Sequence, residues 1–195
     1  MWYGFRPGVQ NWQCVIPIGT YYYPLFGHRI KPFALGPIYI RWITNHPKDN
    51  FKQMTRQQYE TLYDTGLEKF SDNLGDNPAI VAFVERGGKL MIDHGIDDPL
   101  IPVDGTLDYL QKVKEHFGGW KALDKFLRVY ITPGDNHGNC QGNGPGLTES
   151  DGMRALMAWV EDGCVPEEMR KVRVDRKTGE TLEEGMEAPF RLEDE

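Results

Sequence analysis

Serine is scarce in this 195-residue chain: only Ser71 and Ser150 occur, and neither stands in the Gly-x-Ser-x-Gly turn that presents a nucleophilic serine. Ser71 runs into Asp72-Asn73-Leu74-Gly75 like a helix end, and Ser150 falls in the first turn of a later helix. Cysteine is nearly as rare. Cys14, Cys140 and Cys164 form no Cys-x-x-Cys pair and no Cys/His cluster, so zinc and thioredoxin-type chemistry lack their ligands and at most one internal disulfide is allowed. Basic charge is short as well. A net charge of −7 argues against a nucleic-acid partner and against attraction to an anionic membrane. No run is long and apolar enough to span a bilayer, and Met1 is followed by Trp2-Tyr3-Gly4 rather than by a secretory signal, which leaves the compartment open. Internal repeats are absent. No cofactor and no metal are expected.

What is present is an ordinary globular composition with enough mass for a core. The informative stretch runs from Gly87 to His137. Lys89-Leu90-Met91-Ile92-Asp93 is a short apolar run behind a Gly87-Gly88 turn and predicts a buried strand. His94-Gly95-Ile96-Asp97-Asp98-Pro99 then stops the strand and leaves carboxylates at its tip. Leu107, Leu110, Val113 and Phe117 share one helical stripe, with Asp104 placed to cap its start and Gly118-Gly119 to close its end. Phe126 to Ile131 predicts a second strand, broken by Pro133-Gly134 just before His137. Two strands joined through a helix run parallel, so their C-terminal tips share one edge of the sheet, where open α/β sheets place their chemistry. An acid from the first tip and a histidine from the second can meet there.

Around this stretch the chain divides into three parts. Residues 1–63 hold most of the aromatics, including Tyr21-Tyr22-Tyr23, with poor periodicity and frequent Gly/Pro breaks. For any one of these side chains, packing within a loop-rich subdomain outweighs a role in lining a pocket. Residues 64–166 carry the α/β pattern. Just ahead of and into it, Thr55 to Leu74 predicts a helix with Tyr59, Leu62, Tyr63, Leu67 and Phe70 on its apolar face, and Ala79 to Arg86 a short helix. Gly138 to Gly146 is a glycine-rich loop without the Lys or the strand–helix context of a phosphate cradle. Thr148-x-x-Asp151 resembles a capping box, and Met153, Leu156, Met157 and Val160 predict the buried stripe of a last helix ended by Gly163. Residues 167–195 are charge-rich and are expected to run over the surface, with Pro189-Phe190 as the apolar step able to dock.

The sequence His94-Gly95-Ile96-Asp97-Asp98-Pro99-Leu100-Ile101-Pro102, then Gly105-Thr106, then Pro133-Gly134-Asp135-Asn136-His137, resembles the C-terminal catalytic half of the tannase and feruloyl esterase family. Asp76-Asn77-Pro78, Arg86 to Leu90, Gly144-Pro145-Gly146 and Ala158 to Gly163 extend the resemblance, which covers about Asp76 to Pro166 in consistent order. It implies an α/β fold, specifically the C-terminal strands and helices of a mainly parallel α/β-hydrolase sheet. The aromatic-rich residues 1–63 would then be the remnant of a lid. The implied activity is hydrolysis of esters of small aromatic acids by a serine, aspartate and histidine. In that chain order the resemblance makes Asp98 the triad acid and His137 the general base. It places the serine and the oxyanion donors upstream, so no nucleophile is expected in this chain.

A cysteine follows the catalytic histidine in many members and bridges to one beside the nucleophile. Here Gly138 takes that place and Cys140 is the nearest thiol. Cys14 has no strand-to-helix elbow around it and is a poor substitute nucleophile. His94 reads as a packing residue rather than a donor to the acid loop. Asp93, His94, Asp97 and His137 lack persuasive metal-ligand spacing. Two readings stay open. In one, the chain is the C-terminal part of an ester hydrolase whose serine comes from an N-terminal half or a partner chain. In the other it is an inert, truncated homologue serving as a binding module. Either way a sheet lacking its earlier strands exposes an edge and an apolar face, so homo-oligomers or a partner are expected.

Overall fold

The structure, a computed structural model, describes residues 20–21, 29–30, 35–46, 54–71, 75–98, 100–137, 143–175 and 177–193. Cys14, Cys140 and most of the N-terminal aromatics lie outside the described residues. The chain divides into two compact units, Asn11–Asp76 and one holding Asn77–Glu195.

In the first unit, β1 (Thr20–Tyr21) pairs antiparallel with β2 (Arg29–Ile30). Helix α1 (Leu35–Thr44) buries Ile40 and Ile43 and ends on Asn45 at φ 58°, the left-handed conformation that Asn tolerates after a helix. Its last carbonyls are not left bare. Lys69 Nζ donates to Trp42 O at 2.9 Å and to Ile43 O at 3.0 Å, placing a cation at the negative end of the helix. Lys69 belongs to α2 (Arg56–Phe70), which opens with a full capping box between Thr55 and Gln58. Of the apolar face predicted for α2, Tyr59 and Tyr63 are exposed and Leu62, Leu67 and Phe70 only half-buried.

The second unit is built on a βαβ crossover. After the short α3 (Val81–Glu85) come β3 (Leu90–Gly95), α4 (Val103–Phe117), α5 (Trp120–Leu123) and β4 (Leu127–Thr132). β3 and β4 pair in parallel from Leu90 opposite Leu127 to Gly95 opposite Thr132, so both tips do lie on one edge. All six residues of β4 are buried. Leu110 and Val113 of α4 are fully buried against Val129 and Ile131, while Leu107 and Phe117 pack at the margin of the same core. Asp104 does not cap α4. Pro102 holds the cap position without a side-chain bond, and Asp104 sits inside the first turn, where its charge favours the helix dipole. Gly118 at φ 80° closes the helix, as the sequence indicates.

Two further elements depart from the sequence expectation. Helix α6 (Glu149–Asp162) is capped by Thr148 Oγ1, which accepts from Asp151 N, but its buried residue is Trp159. Of the predicted stripe, Met153, Met157 and Val160 are 59%, 49% and 58% exposed and Leu156 is half-buried, so most of it faces outward. The helix is rolled to bury its largest side chain. The Trp159 ring receives Arg128 at 5.2 Å and Lys89 at 5.3 Å, cations that gain more over an indole than over a thioether. Residues 167–195, expected as a surface tail, hold β6 (Met169–Val174) and β7 (Thr181–Glu187). Together with β5 (Gly146–Leu147) they form an antiparallel sheet in the order β5-β6-β7. Beyond β7, Phe190 N donates to Val129 O at 2.7 Å and Trp120 Nε1 to Leu192 O at 2.9 Å, so the Pro189-Phe190 step docks on the β4 side of the parallel pair. On the other side β3 has no strand partner among the described residues.

Candidate active site

The tips of β3 and β4 are stitched together by their own backbone. Ile96 N donates to Thr132 O and Asp97 N to Asp135 O, each at 3.0 Å. The approach is close enough that a Cβ on Gly95 would collide with the carbonyl groups of Asp135 and Asn136. Glycine is required there, because the two loops must touch for their side chains to meet.

Asp98 and His137 meet at this seam. His137 Nδ1 lies 2.9 Å from Asp98 Oδ2, with Asp98 6% exposed and the His137 side chain 47% exposed. The other carboxylate oxygen is held from below, since Leu100 N and Ile101 N both donate to Asp98 Oδ1, at 2.7 and 2.9 Å. A short Asp side chain commonly takes backbone N–H groups two and three residues ahead of it in this way. A carboxylate only accepts, so Nδ1 of His137 must carry the hydrogen and Nε2 is left with a free lone pair. The acid is thus rigid and dry, and the base keeps one face in solvent.

The backbone N–H of Asp97, the neighbouring carboxyl, bonds Asp135, and burial raises its side-chain pKa. His94 is not a mere packing residue. Its Nε2 lies 2.9 Å from Ile101 O and its Nδ1 2.7 Å from Thr106 Oγ1.

The pair faces an open concavity of about 470 Å³ whose walls include Asp93, Ile101, Thr106, Asp135 and Glu149. Asp93 titrates far from the usual carboxyl range. Burial, then the charges of Asp135 and Glu187, push it up to about 7. It stands at the rim and stays solvent-exposed, so water screens part of that penalty. Among the described residues no group of three or more His, Cys, Asp or Glu side chains is placed to hold a metal ion. Neither serine is part of this site's bonding as described: Ser71 Oγ donates to Glu68 O, and Ser150 Oγ lies 3.3 Å from Thr148 Oγ1. Cys164 is a free, exposed thiol.

Comparison with known proteins accords with this architecture. The sequence profile of the tannase and feruloyl esterase family matches residues 38–186. A probable feruloyl esterase of Arthroderma benhamiae is 29% identical over 177 residues, 86% of this chain and 33% of that protein. The tannase of Aspergillus oryzae is 32% identical over 129 residues, 60% of this chain and 22% of that enzyme. Among solved structures, an esterase from Aspergillus oryzae superposes with a TM-score of 0.66 at 21% identity, over 82% of this chain and 34% of that one. The chain therefore matches about a fifth to a third of the length of such relatives. Its mixed helices and strands are part of an α/β-hydrolase-type fold. With a profile match across most of its length, the chain belongs to the tannase and feruloyl esterase family.

Proposed function

We propose that this chain supplies the acid and the base of a carboxylic ester hydrolase acting on esters of small aromatic acids. The serine nucleophile and the oxyanion donors come from a segment outside it, either an N-terminal half or a partner chain. The observation that carries this reading is the 2.9 Å contact of His137 Nδ1 with a buried carboxylate already fixed by two backbone N–H groups. A base oriented this way takes the proton of a serine hydroxyl through Nε2 as the oxygen attacks the ester carbonyl. Asp98 stabilises the imidazolium that results. The same Nε2–H then protonates the departing alcohol, leaving an acyl-serine. In the second half His137 activates water, which releases the aromatic acid and restores the serine. Asp97 takes no part, since the carboxylate that meets His137 Nδ1 is that of Asp98.

The test is hydrolysis of methyl gallate and of a simple aryl ester. The purified chain alone is expected to give no turnover. The longer protein or assembly isolated from producing cells is expected to turn over and to lose activity by about 10⁴-fold with His137→Ala or Asp98→Asn. Turnover by the isolated chain that His137→Ala abolishes would overturn the placement of the nucleophile. An active assembly indifferent to both substitutions would overturn the roles of Asp98 and His137. An assembly with no esterase activity would favour the binding-module reading.

A further inference from the structure

We infer that His94 is a positioning residue for the Asp98–His137 pair, holding the acid loop through the backbone of Ile101; this rests on the proposed roles of that pair. His94 is the fifth residue of β3, one step before Gly95, and its side chain is 9% exposed. Its two ring nitrogens have different partners, and those partners dictate the tautomer. Ile101 O can only accept, so Nε2 carries the hydrogen. In that tautomer Nδ1 accepts from the Thr106 hydroxyl at 2.7 Å.

His94 Nε2 also lies 3.8 Å from Asp98 Oδ2, but its hydrogen bond runs to Ile101. Ile101 receives His94 on its carbonyl and gives its own N–H to Asp98 Oδ1. Fixing Ile101 fixes the second anchor of the carboxylate, which leaves Oδ2 aimed at His137. Thr106 sits in the first turns of α4, so the ring also ties the loop to the helix that follows it. The loop is thus clamped at both ends, by the Gly95–Asp135 contact at its start and by His94 at its finish. Without the ring, Ile101 and its N–H are free to drift, and a displacement of about 1 Å in such a constellation costs on the order of 10²-fold in rate.

The inference predicts a graded response. His94→Phe fills the space without a donor, His94→Gln can return a donor to the Ile101 carbonyl, and Thr106→Val removes only the hydroxyl bonded to Nδ1. The first readout is the far-downfield Nδ1 proton of His137 in the NMR spectrum of the full isolated chain, which needs no nucleophile. It is expected to be present in the wild type and absent in Asp98→Asn. It should be broadened or lost in His94→Phe, restored in part by His94→Gln and weakened in Thr106→Val. The second readout is kcat in the assembled esterase, expected to fall about 10- to 100-fold in His94→Phe with KM little changed.

A signal lost in Asp98→Asn but intact in folded His94→Phe and Thr106→Val, even with a lower Tm, sinks the positioning role and leaves the pair standing. A signal indifferent to Asp98→Asn sinks the pair itself. Should His94→Phe fail to fold, Thr106→Val and His94→Gln decide: an unchanged signal in both overturns the inference.

Discussion

Gly95 shows how much a single residue decides here. A Cβ at this position has to displace the backbone carbonyl of Asp135, which no rotamer change can relieve. Gly95→Ala is therefore expected to destabilise the chain by about 1–3 kcal/mol and to part the two loops. Urea unfolding measures the first effect and loss of the His137 Nδ1 proton signal the second. A variant with unchanged stability and signal would mean that the seam has slack. Asp93 carries the pH dependence. Its folded pKa is about 7 against 3.8 for the free carboxyl, so the folded state holds this proton more tightly than the unfolded chain does. Its stabilising contribution is complete below about pH 4 and is lost as pH rises through about 7. Above that, a carboxylate faces Asp135 and Glu187, the latter partly neutralised by Lys171 at 2.6 Å. Asp93→Asn is expected to match wild type near pH 4 and to exceed it at pH 8 by on the order of 1 kcal/mol, after screening at its exposed rim position. Chemical denaturation at the two pH values gives the difference. A gap that is equal at both would show that the carboxyl titrates normally.

Elements were legible where period and punctuation agree. The β3–α4–β4 crossover follows from two apolar runs, a 3.6-residue stripe and glycine breaks. The parallel pairing that brings Asp98 to His137 follows from that order of elements. What failed to show was decided by side chains competing for one buried face. On α6 the Met153, Leu156, Met157 and Val160 stripe has the right spacing, yet only Leu156 of it is half-buried, and Trp159 with Lys89 and Arg128 above its ring claims the interior. Spacing alone does not weigh one indole against four smaller side chains. Trp159→Ala should cost about 3–5 kcal/mol, read as a lower urea midpoint, whereas Met157→Ala should cost a small fraction of that. Equal costs would mean that the helix is rolled the other way. The β6–β7 hairpin was hidden for another reason. Its inward residues Met169 and Val172 are three apart, and the register shifts between Arg173 and Val174, so no clean alternation survives. The available signals were charge complementarity and turn chemistry. Arg170 meets Glu184, Lys171 meets Glu187 and Arg173 meets Glu183 across the pair. At the turn, Asp175 Oδ1 takes the N–H groups of Lys177 and Thr178 ahead of Gly179 at φ 74°.

At the scale of the whole molecule, the second unit has a buried β4 and an open β3. β4 is covered on its outer side by the Phe190 segment, whereas β3 offers a row of backbone groups with no strand beside it among the described residues. Parallel sheets are ordinarily covered on both faces and continued at such an edge, because unpaired strand groups recruit other chains. The outward stripe of α6 adds apolar surface at Met153, Met157 and Val160. On the proposed function, a serine-bearing segment would continue the sheet here and cover that surface. Without it, the chain is expected to associate with itself. Sedimentation velocity across a hundredfold range of concentration should show growth from monomer to larger species. Met157→Glu combined with Val160→Lys should shift that growth to about tenfold higher concentration, corresponding to about 1.4 kcal/mol of lost association. The pair of substitutions should leave the urea midpoint nearly unchanged, since both positions are on the surface. A chain that stays monomeric throughout, with or without the substitutions, would mean that the exposed edge and stripe are tolerated by water. The serine-bearing segment would then have to be held by contacts elsewhere.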